Sequence, residues 1–296
     1  MPPVKATAIP NFVVKRSKGI ISLEIPLEKN SSFEQWFFII SDQHFDSTHC
    51  DRDKMKQDLE TVVKRKAIIL SVGDFFDIMG SKKDPRSTKS ELRPEYLKSD
   101  YFSCVIDDAV DYLDKYAKYI AIMCQGNHET AIIKNNEIDI LHHLVARLND
   151  KAKSQIIQGE YEEFVRVSFV SNSDNKYSKM FYLNHGWGGA SPVTGGTIHH
   201  HRVAEYVKAD IICMGHLHTT QIDERMYWEP NNQDTVLEKS QLFIRTGGYK
   251  KGRVAGETTW ETVKGIKPKP RGGIWLRFYW DCLNSNLACE AVKPTF

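Results

Sequence analysis

What this 296-residue sequence lacks narrows the field first. It has no long apolar run: its hydrophobic stretches, such as Trp36 to Ile40, fall far short of the roughly 20 residues a membrane-spanning helix needs, so no membrane partner is expected. The opening MPPVKATAIPNF has no apolar core of the kind that drives secretion, and a cytoplasmic location is expected. Six cysteines are scattered without one CxxC pair, and Cys124 and Cys213 lie inside apolar runs, so reduced structural thiols are expected. There is no excess charge of one sign either. Lys and Arg number 40 against 38 Asp and Glu, a net charge of +2, so any affinity for nucleic acid must be local. No repeat and no low-complexity linker divides the chain. A single domain over residues 1–296 is expected, with a core at about 36–220 and a β-rich part at about 221–296.

What is present is an alternation of strand-like and helix-like periods. Phe12 to Lys15 and Gly19 to Ile25 read as a strand pair. Trp36 to Ile40, Ala67 to Val72, Tyr119 to Met123, Met180 to Leu183 and Ala209 to Cys213 read as buried strands. Between them, Met55, Leu59, Val62 and Val63 recur at helical spacing over 51–66. Ile106 to Ala117 and Leu141 to Leu148 do the same, and a further helix is expected over about 197–208. The stretch from Gly80 to Pro94 is rich in Ser, Lys, Asp and Pro and is expected to be an exposed loop.

The chemistry follows the strands. Five apolar runs are each followed by metal-competent side chains: Asp42 and His44 in SDQH, Asp74 and Asp77 in GDFFD, Asn127 and His128 in GNHE, His185 in NHG, and His216 with His218 in GHLH. In open α/β sheets ligands bind beyond the carboxyl ends of strands, so these ends are expected to meet along one edge. In extended backbone, residues two apart share a face, which lets His216 and His218 address one point. A single motif of this kind is often only a hydrogen-bonded histidine, but coincidence would have to act five times. Carboxylate, amide and imidazole ligands without thiolate favour Mn²⁺, Fe²⁺ or Zn²⁺, with Co²⁺ and Ni²⁺ also suited, over Mg²⁺ or Ca²⁺. Seven ligands are too many for one ion and suit two, with Mn²⁺ the first choice.

The ordered set D-x-H, G-D, G-N-H-E, H and G-H-x-H over residues 36–220 resembles the calcineurin-like metallophosphoesterase superfamily. The resemblance implies a four-layer αββα sandwich of two mixed β-sheets flanked by helices. It implies that Asp42, His44 and His218 hold one divalent transition metal ion, that Asn127, His185 and His216 hold the other, and that Asp74 bridges them. His128 would act near the leaving group. Two cations acidify a shared water toward neutrality and offset charge on the phosphate, so a metal-dependent hydrolase of phosphate esters is implied. The phrase SVGDFFD further resembles the second motif of SbcD-type repair nucleases, although Glu129 stands where those have aspartate.

Three functions are set against each other: a phosphodiesterase, including a nuclease; a phosphomonoesterase acting on a small molecule or phosphoprotein; and a non-enzymatic binding scaffold. The intact ligand set disfavours the last. Among further residues, Asp77 is a candidate for orienting a ligand, His49 for lining the site, and Trp187, in the glycine-rich stretch 186–196, for stacking on a substrate. The arginine that follows this aspartate in the Ser/Thr protein phosphatases is replaced by Ile78, which weakens that branch. His199, His200 and His201 point different ways on a helix and are read as a solvated polar face, and His142 and His143 as helix-boundary residues. From Tyr249 to Arg271, Lys250, Lys251, Arg253, Lys264, Lys267, Lys269 and Arg271 outnumber Glu257 and Glu261, with Tyr249 and Trp260 interleaved. This is a candidate track for a nucleic-acid backbone, weighed against an ordinary solvated charge run.

Overall fold

Which way each strand side chain points builds the architecture. The computed structural model describes residues 9–80, 83, 85, 92–172, 175–189, 191, 193–256 and 259–293, without the side chains of 260 and 261. Its elements in chain order are β1 (Val13–Ser17), β2 (Ile20–Leu27), β3 (Glu34–Ile40), α1 (Arg52–Arg65), β4 (Ile68–Ser71), α2 (Tyr101–Leu113), β5 (Ile120–Cys124), α3 (Asn127–Asn136) and α4 (Ile140–Ala152). They continue with β6 (Ile157–Gly159), β7 (Glu162–Ser171), β8 (Lys176–Asn184), α5 (Thr197–Tyr206), β9 (Ile211–Met214), β10 (Gln221–Pro230), β11 (Val236–Arg245), α6 (Trp260–Val263), β12 (Ile274–Asp281) and β13 (Asn286–Val292).

The strands form two mixed sheets, ordered β1-β2-β7-β8-β9-β11-β10 and β13-β12-β3-β4-β5-β6. Alternation along each strand explains why they stack. On β3, Phe37 and Ile39 join one core with Ile68, Leu70, Phe181, Leu183, Cys213 and Ile244, drawn from both sheets. Their neighbours Phe38 and Ile40 point the other way, into a core with Met55, Leu59 and Val62 of α1, Ala109 of α2 and Leu144 of α4. On the far side, Tyr182, Ile212 and Phe243 meet Val203 of α5 and Val207 just after it. The order is therefore helices, sheet, sheet, helix, the expected four-layer sandwich. No helix among the described residues is long and apolar enough to cross a membrane.

Local chemistry sets the helix ends. Asp51 caps α1 by accepting from the Lys54 amide at 3.2 Å, and Lys66 closes it in the left-handed conformation. The helix expected to reach residue 208 stops at Tyr206, because Val207 turns extended and enters the core. Within the expected loop from Gly80 to Pro94, residues 81, 82, 84 and 86–91 lie outside the described residues. From Gln221 on, the described chain holds four strands, β10 to β13, and the short α6 between β11 and β12. One reading is corrected. His199 and His200 do not form a solvated face. His199 is buried against Trp187 and His200 stacks on Phe243, and His201 of the triple is exposed. The helix that carries them covers the sheet, so two of its three successive histidines turn inward.

Candidate metal centre

The five motif-bearing strand ends come together, though not along one edge of one sheet as expected. β3, β4 and β5 run parallel in one sheet, and β8 and β9 run parallel in the other. The motifs occupy the two adjacent sheet ends and face each other across the sandwich. The loop after β3 is stitched to the loop after β4, with the Asp42 amide donating to the Gly73 carbonyl at 3.0 Å and the His44 amide to the Asp74 carbonyl at 3.2 Å. Asp42 then crosses to the other sheet, where its Oδ2 accepts the His216 amide at 2.9 Å. Asp74 reaches α3, its Oδ1 accepting the His128 amide at 2.9 Å.

Backbone strain is concentrated here. Asp42, His44, Asp74, His216 and His218 all have φ between 46° and 68°, the left-handed region that residues with a Cβ seldom occupy. Elsewhere such residues close helices, as Lys66, Glu137 and Lys153 do, or turn between strands, as Lys18, Asp234 and Ser285 do. Glycines let the strands approach. A Cβ on Gly126 would strike the Asp74 carboxylate and amide, and one on Gly215 would strike Ser41 and Asp42.

The converging atoms form two overlapping groups. Asp42 Oδ1 lies 3.1 Å from His218 Nε2, which lies 3.2 Å from His44 Nε2. Asp74 Oδ2 lies 3.0 Å from His185 Nε2, and Asn127 Oδ1 lies 3.1 Å from His185 Nε2 and 2.7 Å from His216 Nδ1. Asp42, His44 and His218 present ligand atoms within 4.8 Å of one another, as do Asp74, His185 and His216, and as do His44, Asp74 and His128. The opposite ring nitrogens are engaged elsewhere. His44 Nδ1 faces Asp77 Oδ1 at 2.8 Å, His185 Nδ1 faces the Val72 carbonyl at 2.8 Å, and His216 Nε2 faces the Gly188 carbonyl at 2.9 Å. With its proton held on the outer nitrogen, each of these imidazoles would offer the lone pair of the inward nitrogen to a cation.

These residues fit a pair of cations on their own chemistry. Buried oxygens and nitrogens face one another with too few protons between them, and Asp42 Oδ1 has no hydrogen-bond partner. Burial opposes ionisation of Asp42 and Asp74, yet His218 beside the first and His185 beside the second hold both below the usual carboxylate range. Burial also opposes a charged His185, but the Asp74 carboxylate outweighs it and lifts the imidazole to about 10. The metal-free pocket thus gathers protons where positive charge is wanted, and divalent ions would replace them.

Supporting residues surround this centre. The Asp77 carboxylate faces His44, its backbone carbonyl lies 2.6 Å from His128 Nδ1, and Lys250 Nζ lies 3.6 Å from its Oδ2. His128 is thereby held with Nε2 toward the centre, 3.9 Å from Asp74 Oδ2. Two clamps escaped the sequence reading. Asp46 accepts the amides of Asp77 at 2.6 Å and Ile78 at 2.9 Å and the Tyr101 hydroxyl at 2.8 Å, holding Ile78 at a positive φ. Glu129 accepts the amides of Asp74, Phe76 and Gly126 at 3.1, 2.9 and 2.8 Å. Burial, and then the nearby Asp74 charge, push its carboxyl up to about 7. The signal for each was an acid two residues after a motif histidine or asparagine.

A cleft of about 1350 Å³ opens over the centre. Beyond the centre its lining includes Gly188, Gly189, Thr194 and Thr197, with Gly188 beside His216, and also Lys250, Ile266, Lys267 and Lys269. Trp187 is not in that lining. It packs against His199 and the α5 core, leaving the lining to the glycines that follow it. His49 is buried outside the lining, its carbonyl accepting the Lys251 amide at 2.8 Å. Arg245, fully buried, supports the glycine-rich stretch by donating to the Gly196 carbonyl at 3.1 Å and to Gln221 at 3.0 Å. Glu257 lies outside the described residues, as do the side chains of Trp260 and Glu261.

With two mixed sheets flanked by helices and a histidine–carboxylate centre at their ends, the molecule has the make-up of a metal-dependent hydrolase. The model of the calcineurin-like phosphoesterase family matches residues 36–220, and the chain belongs to that family. It is a metal-dependent phosphoesterase of a dinuclear-metal family. Among solved structures it is similar to a conserved protein of Streptococcus pneumoniae described as a predicted phosphoesterase, at 14% identity and TM-score 0.32, covering 88% of this chain and 90% of that one. It is also similar to Vps29 of Chaetomium thermophilum, at 12% identity and TM-score 0.32, covering 89% and 97%. Comparison with curated protein sequences gives no match.

Proposed function

We propose that the protein is a phosphodiesterase that works with two divalent transition metal ions, Mn²⁺ first among them. Asp42, His44 and His218 would hold one ion, Asn127, His185 and His216 the other, and Asp74 would lie between them. Bound there, the ions supply an acidified water and positive charge for the phosphate oxygens. The chain's own groups do the rest. Asp77 and the carbonyls of Val72 and Gly188 set which nitrogen each histidine turns inward. His128, with Nδ1 held at the Asp77 carbonyl, offers Nε2 to the leaving oxygen and delivers a proton there. Mixed nitrogen and oxygen donors without thiolate support the choice of ion.

One observation carries the choice of a diester. The cleft is about 1350 Å³, far more than one phosphate fills, and beyond the two ligand groups its lining includes Gly188, beside His216, and Lys250, beside Asp77. A phosphate seated at the centre has room for a second substituent, which a diester has and a monoester lacks. The test is hydrolysis of bis-p-nitrophenyl phosphate against p-nitrophenyl phosphate by Mn²⁺-loaded protein. At least tenfold higher kcat/KM for the diester is expected; the reverse preference would make the protein a phosphomonoesterase. Asp74→Asn is expected to lower diester kcat by about 10³-fold or more, with an unchanged circular dichroism spectrum, because it removes the carboxylate charge from the place where the two ions would meet.

A further inference from the structure

Seven cations lie between Lys250 and Arg271, and the fold uses them unequally. Asp51, the cap of α1, pairs with Arg271 at 2.6 Å and lies 3.6 Å from Lys251 Nζ, so it holds both ends of the segment. Tyr249 fastens the same end, its amide donating to the Asp42 carbonyl at 2.9 Å and its hydroxyl to Asp58 at 2.7 Å. A bridge between Gly248 and Arg271 closes the loop. With both ends tied to the helix cap and to the loop that carries Asp42, the stretch around Gly265 to Lys269 is set against the cleft. There Lys267 and Lys269 line it, and both are exposed.

This placement goes beyond what one phosphate requires. The cleft is large beside a single phosphate, and the two proposed ions already supply the charge for one. The lysines add positive charge to a lining otherwise rich in glycine and hydroxyl side chains. Among the described residues the lining holds no Phe, Tyr or Trp, and Tyr249 is buried with its hydroxyl on Asp58. The described lining suits phosphates and sugars and presents no aromatic ring on which a base could stack.

We propose that Lys267 and Lys269 form a subsite for a phosphate flanking the scissile one, so that the substrate is a single strand of nucleic acid held by its backbone without regard to base. This rests on the phosphodiesterase reading, and the experiment separates the two. A labelled oligothymidylate of about 12 nucleotides is titrated against the full chain in EDTA, following anisotropy, for the native protein, Lys267→Gln/Lys269→Gln and a charge control, Lys264→Gln. The Mn²⁺-loaded proteins are then assayed on the strand and on bis-p-nitrophenyl phosphate. The double variant is expected to bind the strand at least tenfold more weakly. Its log–log salt dependence should be shallower by about 1.4, at about 0.7 per lost phosphate contact. Its strand-to-diester ratio of kcat/KM should fall at least tenfold, with Lys264→Gln behaving as the native protein.

Equal strand affinity and an equal ratio in the double variant, or no strand binding by the native chain, would overturn the subsite. Lysine-dependent binding by a protein that cleaves no diester would uphold the subsite and overturn the phosphodiesterase reading instead.

Discussion

His200 illustrates how a single side chain can be misplaced by its sequence context. It lies in a run of three histidines that suggests a wet surface, yet it stacks on Phe243 with Asp223 at 3.4 Å and the Arg245 guanidinium and His199 nearby. Burial, reinforced by Arg245, pushes its pKa down to about 4, against about 6.5 in an unfolded chain. Between those values the unfolded state binds the extra proton, so the stability linked to His200 is present above about pH 6.5 and is lost as pH falls toward 4. The loss amounts to at most about 3 kcal/mol, at about 1.4 kcal/mol per unit. Thermal melts from pH 4 to 8 are expected to show a flatter acid limb for His200→Gln than for the native protein. An unchanged limb would mean that other groups drive the acid transition.

At the scale of elements, the junction of β5 with α3 decides whether the centre can assemble. Gly126 has φ −114° and ψ −167°, extended backbone that any residue adopts, so its requirement is one of space: a Cβ would enter the Asp74 carboxylate. Asp74 cannot retreat, because Glu129 holds its amide and the His128 amide holds its Oδ1. Gly126→Ala is therefore expected to weaken Mn²⁺ binding at least tenfold by calorimetry while leaving α3 intact by circular dichroism. GNHE was legible in the sequence as a ligand motif after a strand, but the helix α3 that it opens was not. The double duty of Glu129, capping the helix and clamping the neighbouring strand loop, was not legible either, because its second set of partners lies more than 50 residues upstream.

At the scale of the whole molecule, the candidate ligands come from both sheets, so metal binding is expected to tie the sandwich together. A ligand at 100 times its Kd adds about 2.7 kcal/mol, on the order of 5–10 °C in Tm for a chain of this size. Differential scanning fluorimetry should show Tm falling by about that amount when EDTA is added and recovering with excess Mn²⁺. A Tm indifferent to chelation would count against ions bridging the two sheets.

The sequence by itself determined the alternation of strands and helices, the burial of β3, and the residue types placed after five strands. All of these are written in local periods of 2 and 3.6 residues and in short turn motifs. Tertiary structure alone decided that the motifs meet from two sheets and that five of the proposed ligands sit on left-handed backbone. It also decided that Asp46 and Glu129 brace them, and that Trp187 packs inward while lysines far down the chain reach the cleft. The physical reason is range. Each of these facts depends on contacts between segments tens to hundreds of residues apart, whose geometry is set by how the two sheets stack and not by any neighbour in the chain.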